Sequence, residues 1–434
     1  MDAARMTDNS VISIDFDAIA HNMAVLRGLV GPSCEINAVV KADAYGLGAV
    51  RVARRLVQAG ASMLTVYSPA QAEQLEGMQV PILVLQAVRN LERGGAIHSM
   101  LVAGRLHLVV HDVHHVAELI YAAREHGVRI PLHLELDTGL GRGGCLPDEA
   151  AKILQAIAAS PELRLAGLMT HFSHAKSSAQ RCAAQQRAFE LFVDQNRALV
   201  PPECIFHAAS TYATLRTRDV HAAMVRVGLA WTGFAADGPE GEQRLPGIER
   251  FRPAVRWASS LIHVRRVPRG EGVGYGWQWT ARRDSTIGLV PVGYADGYPT
   301  LSALAPQAAR DQAEPTRWVR VGAPDVGGGT RWAEVPVIGA VNMDQLCVDL
   351  TGLEQMLGGL PNGGLGAEIE LYGTDPTARN YLPSVAERTG IRPYELLCRL
   401  NPRIPRVAVE AAEPIGRVEQ SAPRMAVRAA PDAP

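Results

Sequence analysis

The residues best suited to chemistry fall at a few recurring places, each just past an apolar run. Lys41 ends the run INAVVK and is followed at once by ADAYGLG, a glycine-rich turn leading into a helical pattern. A lysine at the end of a buried strand usually snorkels or pairs with a carboxylate, and the glycines by themselves are ordinary turn chemistry. The company Lys41 keeps changes that reading. Other runs end at Asp137 with Arg142 after it, at His171, at His207 with Ser210 after it, and at Arg226 with Gly228 after it. A hydroxyl at Ser210 and backbone amides around Gly228 and Leu229 can hold a phosphate without excess charge. The layout therefore proposes a phosphorylated ligand beside a strand-end lysine.

The elements that must position these groups alternate. From about residue 36 short apolar runs alternate with amphipathic stretches: INAVVK, SMLTVY, PILVLQ, LHLVVH, PLHLEL, LRLAGLMTH, ECIFHA and AMVRVGL. Eight such runs close a (β/α)8 barrel, in which active groups sit at the carboxyl ends of the strands and a phosphate site comes from the last two loops. AVRVARRLVQAG and VHHVAELIYAAREHG read as helices stopped by Gly60 and Gly127, and Ser68-Pro69 reads as an N-cap followed by a first-turn proline. Near Pro246 the pattern becomes strand-rich, as in STIGLVPVGYADGY and VPVIGAVNMDQLCVDL. The expected organisation is a barrel over 11–245 and a mainly β C-terminal domain over 246–407. NSVISIDF at the start pairs with the latter, 303–335 reads as an insertion, and 408–434 as a disordered tail.

Bulk properties exclude several classes. The 434 residues are 47% apolar and 20% charged, enough for a large buried core. A formal net charge of −1 gives no electrostatic case for nucleic acid or an anionic membrane. The six cysteines (Cys34, Cys145, Cys182, Cys204, Cys347, Cys398) show neither CxxC pairing nor metal-ligand spacing, which predicts reduced thiols, no metal site and a cytoplasmic protein. MDAARMTDNS lacks the apolar run of an export signal, and no segment has the length of a membrane span.

VVKADAYGLG resembles the lysine signature of the alanine racemases, which bind pyridoxal 5′-phosphate. The resemblance recurs in order through LDTGLGRGG, LMTHFSH, HAAS, VRVG, VGYG, VGYADGY, NMDQLCVDL and YELLCRLNPRIPR, over about residues 11–407. It implies a two-base racemase interconverting L- and D-alanine for peptidoglycan, with Lys41 as cofactor lysine and base on one face. Tyr275, from the partner subunit of a homodimer, is the implied base on the other. By the same resemblance Arg226 contacts the pyridine nitrogen and His171 lies against the ring. Tyr45, Ser210, Gly228, Leu229 and Tyr394 hold the phosphate. Arg142 and the amide of Met343 receive the substrate carboxylate, Asp344 lies nearby at the dimer interface, and Tyr294 lines the entrance.

Some positions depart from the family pattern. Leu47 stands where histidine is usual, Val227 and Thr232 where proline and tyrosine are common. Glu135 replaces a lysine that many members carry as a carbamate, so a carboxylate supplies directly the negative charge expected to orient Arg142. Thr300, Lys176 and Ala340 occupy positions that elsewhere form a charged entrance gate. The alternatives are a broad-spectrum or serine racemase of the same fold, a non-catalytic pyridoxal-phosphate carrier, or a barrel decarboxylase. The strand-rich second domain with its VGYG tyrosine argues against the carrier, and Arg226 with Tyr275 against the decarboxylase.

Overall fold

The computed structural model describes residues 10–235, 245, 247–300, 315–325, 328–353 and 361–409. The chain begins with strand β1 (Ser10–Asp15), then a helix, Phe16–Val30, whose N-cap Asp15 accepts the Ala18 amide at 2.8 Å. Eight strands follow: β2 (Glu35–Val39), β3 (Met63–Val66), β4 (Ile82–Val84), β5 (Leu106–Val110), β6 (Ile130–Glu135), β7 (Leu163–Met169), β8 (Ile205–His207) and β9 (Met224–Val227). All are parallel neighbours in the order β8-β7-β6-β5-β4-β3-β2-β9, and each matches one of the eight apolar runs to within a residue at its start. Such strands are apolar throughout because helices cover one face and packed barrel interior fills the other. Between β8 and β9 closure runs through a bridge pairing Ser210 with Arg226, reinforced by the Ala223 amide donating to the Phe206 carbonyl at 3.1 Å. The seam of the barrel is therefore where two of the candidate residues meet.

The helical patterns form Ala49–Gln58 and Val113–His126, the latter closed by Gly127 in the left-handed conformation. The helix after Ser68-Pro69 is only Pro69–Glu73, and Ser68 makes no capping hydrogen bond.

Downstream strands are β10 (Val255–Ser260), β11 (His263–Val267), β12 (Gly272–Val273), β13 (Trp279–Thr280), β14 (Ser285–Val290), β15 (Trp318–Pro324), β16 (Thr330–Ile338), β17 (Leu346–Asp349), β18 (Glu368–Tyr372) and β19 (Arg406–Val409). Nine strands form one sheet in the order β11-β14-β17-β16-β15-β18-β10-β1-β19, while β12 and β13 form a ribbon. As expected, β1 joins this sheet, antiparallel to β10 and parallel to β19. The stretch expected as an insertion contains a hairpin, β15 with β16, in register from Trp318↔Pro336 to Pro324↔Thr330. The chain also stays in the sheet through Val409, past the expected start of the tail, because β19 extends β1 on its outer side. Residues 410–434 and 301–314 lie outside the described residues. Among the described residues, no helix is long and apolar enough to cross a membrane, and no cluster of metal-ligating side chains occurs.

Candidate active site

At the end of β2 the backbone changes hand. Ala42, Asp43, Ala44 and Tyr45 all lie near φ +50 to +61°, ψ +36 to +51°, a turn of left-handed helix in which none of the four is glycine. Left-handed geometry crowds Cβ against the following carbonyl, at roughly 1–2 kcal/mol per L-residue, so local contacts must offset it. The Ala44 amide donates to the Val40 carbonyl (2.9 Å), and the Leu47 and Gly48 amides to the Asp43 carbonyl (2.9 and 3.0 Å). The Asp43 carboxylate accepts the Ala49 amide at 2.6 Å. Ala44, Tyr45 and Leu47 are buried. Lys41 and the Tyr45 ring thus leave a single short turn.

Tyr45 stacks on Trp231 (centroids 5.5 Å apart, 15° between planes) and meets Tyr394 edge-on at 5.7 Å. Trp231 in turn donates its indole N–H to the Val39 carbonyl at 3.0 Å, tying the short helix after β9 to the end of β2. Gly228 explains itself: a Cβ there would lie 2.2 Å from the Tyr45 hydroxyl. Its amide donates to the Thr211 hydroxyl at 3.1 Å, so of the two backbone groups expected to hold a phosphate it is already engaged. Leu229 opens the short helix Leu229–Thr232, and Thr232 caps that helix by donating to the Leu229 carbonyl at 2.7 Å. Ser210 stands at the N-cap of Thr211–Arg216 with no side-chain cap bond.

Lys41, Arg142, Arg226, Glu135 and His171 form one electrostatic cluster. Burial lowers the Lys41 pKa from its ordinary value, and the charge of Arg142 lowers it further. His171 drops to about 3, through burial first and then the charges of Arg226 and Arg142, so it is neutral. Arg226 is 5% exposed, and burial brings its pKa down to about 10, still protonated at neutral pH. Its Nη1 contacts His207 Nδ1 (2.7 Å) and the His207 carbonyl (2.9 Å). Its Nη2 donates to the Thr170 carbonyl at 2.7 Å and lies 3.2 Å from His171 Nδ1. Among the described residues, its Nε makes no hydrogen bond.

Beneath Arg226 runs a chain of imidazoles that sequence reading missed. His207 Nε2 contacts His133 Nδ1 at 2.8 Å, and His133 Nε2 contacts His107 Nδ1 at 2.9 Å, all buried. Because Arg226 can only donate, His207 Nδ1 must accept, which fixes each ring in turn to donate from Nε2. Burial holds all three neutral, His107 at about 4. Gly167, paired with His133 in register, makes the room: a Cβ there would be 2.4 Å from His133 Nδ1. A single histidine in a strand carries no sign of partners two strands away, though the glycine in LRLAGLM was a hint.

Glu135 differs from expectation in its partner. Its Oε2 lies 3.0 Å from His111 Nε2, and no hydrogen bond links it to Arg142. Burial tends to raise its pKa, but the His111 imidazole beside it together with the charges of Arg226 and Arg142 outweighs this and holds the carboxyl below its usual range. Asp137 is structural: it accepts the amides of Gly139 (2.9 Å), Leu140 (2.9 Å) and Gly141 (3.1 Å) and so shapes the loop that presents Arg142.

The second domain gathers the remaining candidates. The Tyr294 and Ala295 amides donate to the Asn342 (3.0 Å) and Met343 (2.9 Å) carbonyls, and Arg403 clamps Asp296 and Asp344, each at 2.9 Å. Tyr275 follows β12 in a loop held by Gly274 and is 79% exposed, with no hydrogen bond to Lys41. Met343 and Tyr294 are also exposed. At the expected entrance, Lys176 Nζ sits 5.4 Å from the centroid of the Tyr212 ring, Thr300 is exposed and Ala340 half-buried.

A parallel barrel with a half-buried lysine at one strand end, free of a carboxylate partner among the described residues, and a donor-only arginine at another is the frame of a barrel enzyme that works with an amine. Family profiles narrow the class: that of the alanine racemase N-terminal domain matches residues 14–236, and that of the C-terminal domain matches 254–408. Alanine racemases from Streptomyces coelicolor (34% identical, covering 91% of this chain and 95% of that protein) and Nostoc (31%, 92% and 95%) are similar over almost their full lengths. The solved alanine racemase of S. coelicolor superposes with a TM-score of 0.77 at 33% identity, covering 92% of this chain and 98% of that one. The chain belongs to the alanine racemase family, and its reaction is amino-acid racemisation, an isomerase activity.

Proposed function

We propose that the chain binds pyridoxal 5′-phosphate at Lys41 and racemises alanine with two bases, Lys41 and Tyr275 of the partner subunit. The observation that carries the reading is the lysine itself: half-buried at a strand end, lowered in pKa, and without a carboxylate partner among the described residues. The surrounding residues fit the cofactor. Arg226 has both terminal nitrogens engaged and its Nε left over, and Gly228 is the only residue that leaves room for the Tyr45 hydroxyl. Tyr45, Tyr394, Ser210 and the Gly228–Leu229 segment would hold the phosphate, with His171 beside the ring. When bound, the cofactor draws electron density from the α-carbon of an attached amino acid and so acidifies its α-proton.

The protein's part follows from proton accounting. A base fixed on one face cannot return the proton to the other, so two groups must oppose each other. The Lys41 amine, poised toward its neutral form, takes or gives a proton at Nζ. The Tyr275 hydroxyl of the partner subunit does so from the opposite face. The exposure of Tyr275 supports a homodimer with shared sites. Arg226 can only donate, so a ring nitrogen held at its Nε would stay unprotonated, which would limit delocalisation and the side reactions that follow from it. Arg142, which makes no hydrogen bond among the described residues, is free to take a carboxylate bidentately. D-alanine for peptidoglycan is the product this reading assigns.

Borohydride reduction followed by peptide mass mapping should place the cofactor on Lys41, and Lys41→Ala should abolish the adduct. Chiral analysis of products from several L-amino acids should show alanine converted fastest. A reduced adduct on another lysine, or equal rates for unrelated side chains, would overturn the assignment.

A further inference from the structure

Besides the packing of Tyr45 on Trp231 and Tyr394, the left-handed turn after Lys41 has a hydrogen bond from far along the chain. Arg406, the first residue of β19, donates from Nε to the Gly46 carbonyl at 3.0 Å, across 360 residues of sequence. Its other bonds are local: Nη1 to the carbonyls of Asn401 and Ile404 (2.5 Å each), and Nη2 to that of Leu400 (2.9 Å). The guanidinium is thus spent on four carbonyls and, among the described residues, forms no ion pair. One edge of this planar fork grips the end of the left-handed turn, while the rest is locked into the loop before β19. Gly46 is pressed into the same junction: a Cβ would lie 3.1 Å from the Leu397 carbonyl, in the helix Pro393–Cys398 that carries Tyr394.

Four consecutive L-residues at positive φ would relax toward the right-handed region if the turn were free at its far end. Such relaxation would swing Lys41 and Tyr45 apart, because both leave the same turn. The bonds inside the turn resist it, but they move with the turn. The Gly46 carbonyl is held by a group anchored elsewhere, in β19, which is itself paired to β1.

We infer that Arg406 is a positioning residue for the active site: by fixing the Gly46 carbonyl it holds the left-handed turn that aims Lys41 and Tyr45 together. This rests on the proposed role of Lys41. Its reach is the second domain's grip on the cofactor lysine, exerted through the backbone with no side chain in the site.

The test uses Arg406→Lys and Arg406→Met in the full-length chain, with hydrogen exchange measured on residues 43–49 after cofactor removal and again after its return. Arg406→Lys keeps the charge but loses the fork, so it should loosen the amides of Ala44, Leu47, Gly48 and Ala49 and weaken cofactor binding, each by at least about tenfold. Barrel strands such as β6 should exchange as before. Ala42→Gly supplies the discriminating arm. Ala42 is exposed, and glycine adopts its backbone angles without strain. If Arg406 acts by holding the turn's hand, Ala42→Gly in the Arg406→Lys background should recover the loss several-fold, so that the two substitutions are less than additive. Unchanged exchange over 43–49, loosening confined to 400–404, or strict additivity with Ala42→Gly would overturn the inference. Arg406→Met should go further in the same direction; if it does not fold, Arg406→Lys decides alone. A borohydride adduct on a different lysine in the unmodified protein would defeat the cofactor reading instead, leaving the exchange result to judge the turn.

Discussion

Replacing His107 by asparagine should flatten the acid side of the stability profile by an amount the imidazole chain sets. His107 is buried and, through burial first and the charge of Arg164 second, its pKa falls from 6.5 to about 4. The unfolded chain binds a proton at this position below pH 6.5, whereas the folded chain declines it until about pH 4. Its contribution is therefore fully present above pH 6.5 and is lost progressively as the pH falls toward 4. At about 1.4 kcal/mol per pH unit, that is roughly 2 kcal/mol lost between pH 6.5 and 5. Asparagine places an acceptor where Nδ1 stood, so the bond from His133 can persist while the titration disappears. Urea unfolding of the holoprotein at fixed concentration, from pH 7.5 to pH 5, should show the parent losing about 2 kcal/mol more than the variant. His133 and His207 act in the same direction in both proteins and largely cancel in the difference. Parallel profiles would refute a neutral, buried His107 and with it the fixed direction of the chain.

Tyr275→Phe should retain cofactor and lose racemisation by about a hundredfold or more, measured by polarimetry in both directions; mixed with Lys41→Ala protein it should regain activity once subunits exchange. Gly228→Ala puts a methyl where the Tyr45 hydroxyl lies, 2.2 Å away, and should weaken cofactor affinity at least about tenfold in a fluorescence titration. Glu135→Gln removes the charge that His111 holds and that faces Arg142, so KM should rise, by about tenfold, more than kcat falls. Indifference of the rate to bicarbonate should accompany the parent enzyme.

The barrel was legible because its strands are apolar on both faces and separated by helices with clear stops, as at Gly127. The hairpin β15–β16 was equally written in WVRVGAP and TRWAEVPVI, whose alternation was hidden by the atypical stretch around it. The left-handed turn was not legible: ADAY contains no glycine, and the conformation is held by a local bond to Asp43, the stacking of Tyr45 on Trp231 and the distant bond from Arg406 to Gly46. Site residues came forward through motif resemblance, whereas their supports did not. Trp231, Thr211 and His133 are ordinary residues for a core, and their meaning lies in which strand end they face. Glu135 was recognised as a charge, but its partner His111 comes from another strand end, which sequence spacing does not report.

Strand β1 also sets a timetable for synthesis. It leaves the ribosome first among the described elements, yet its antiparallel neighbour β10 lies some 245 residues later and its parallel neighbour β19 almost 400. At synthesis rates of about 5–20 residues per second, the first partner arrives roughly 12–50 s after β1 itself, and the second later still. Throughout that interval β1 is an unpaired edge whose Ile12 and Ile14, both buried in the finished protein, stay open to any other nascent chain. A chain cut after the barrel would never close that edge, and it should collect as aggregate even though all eight barrel strands are present. The ribosome must deliver β10 and β19 before β1 is safe.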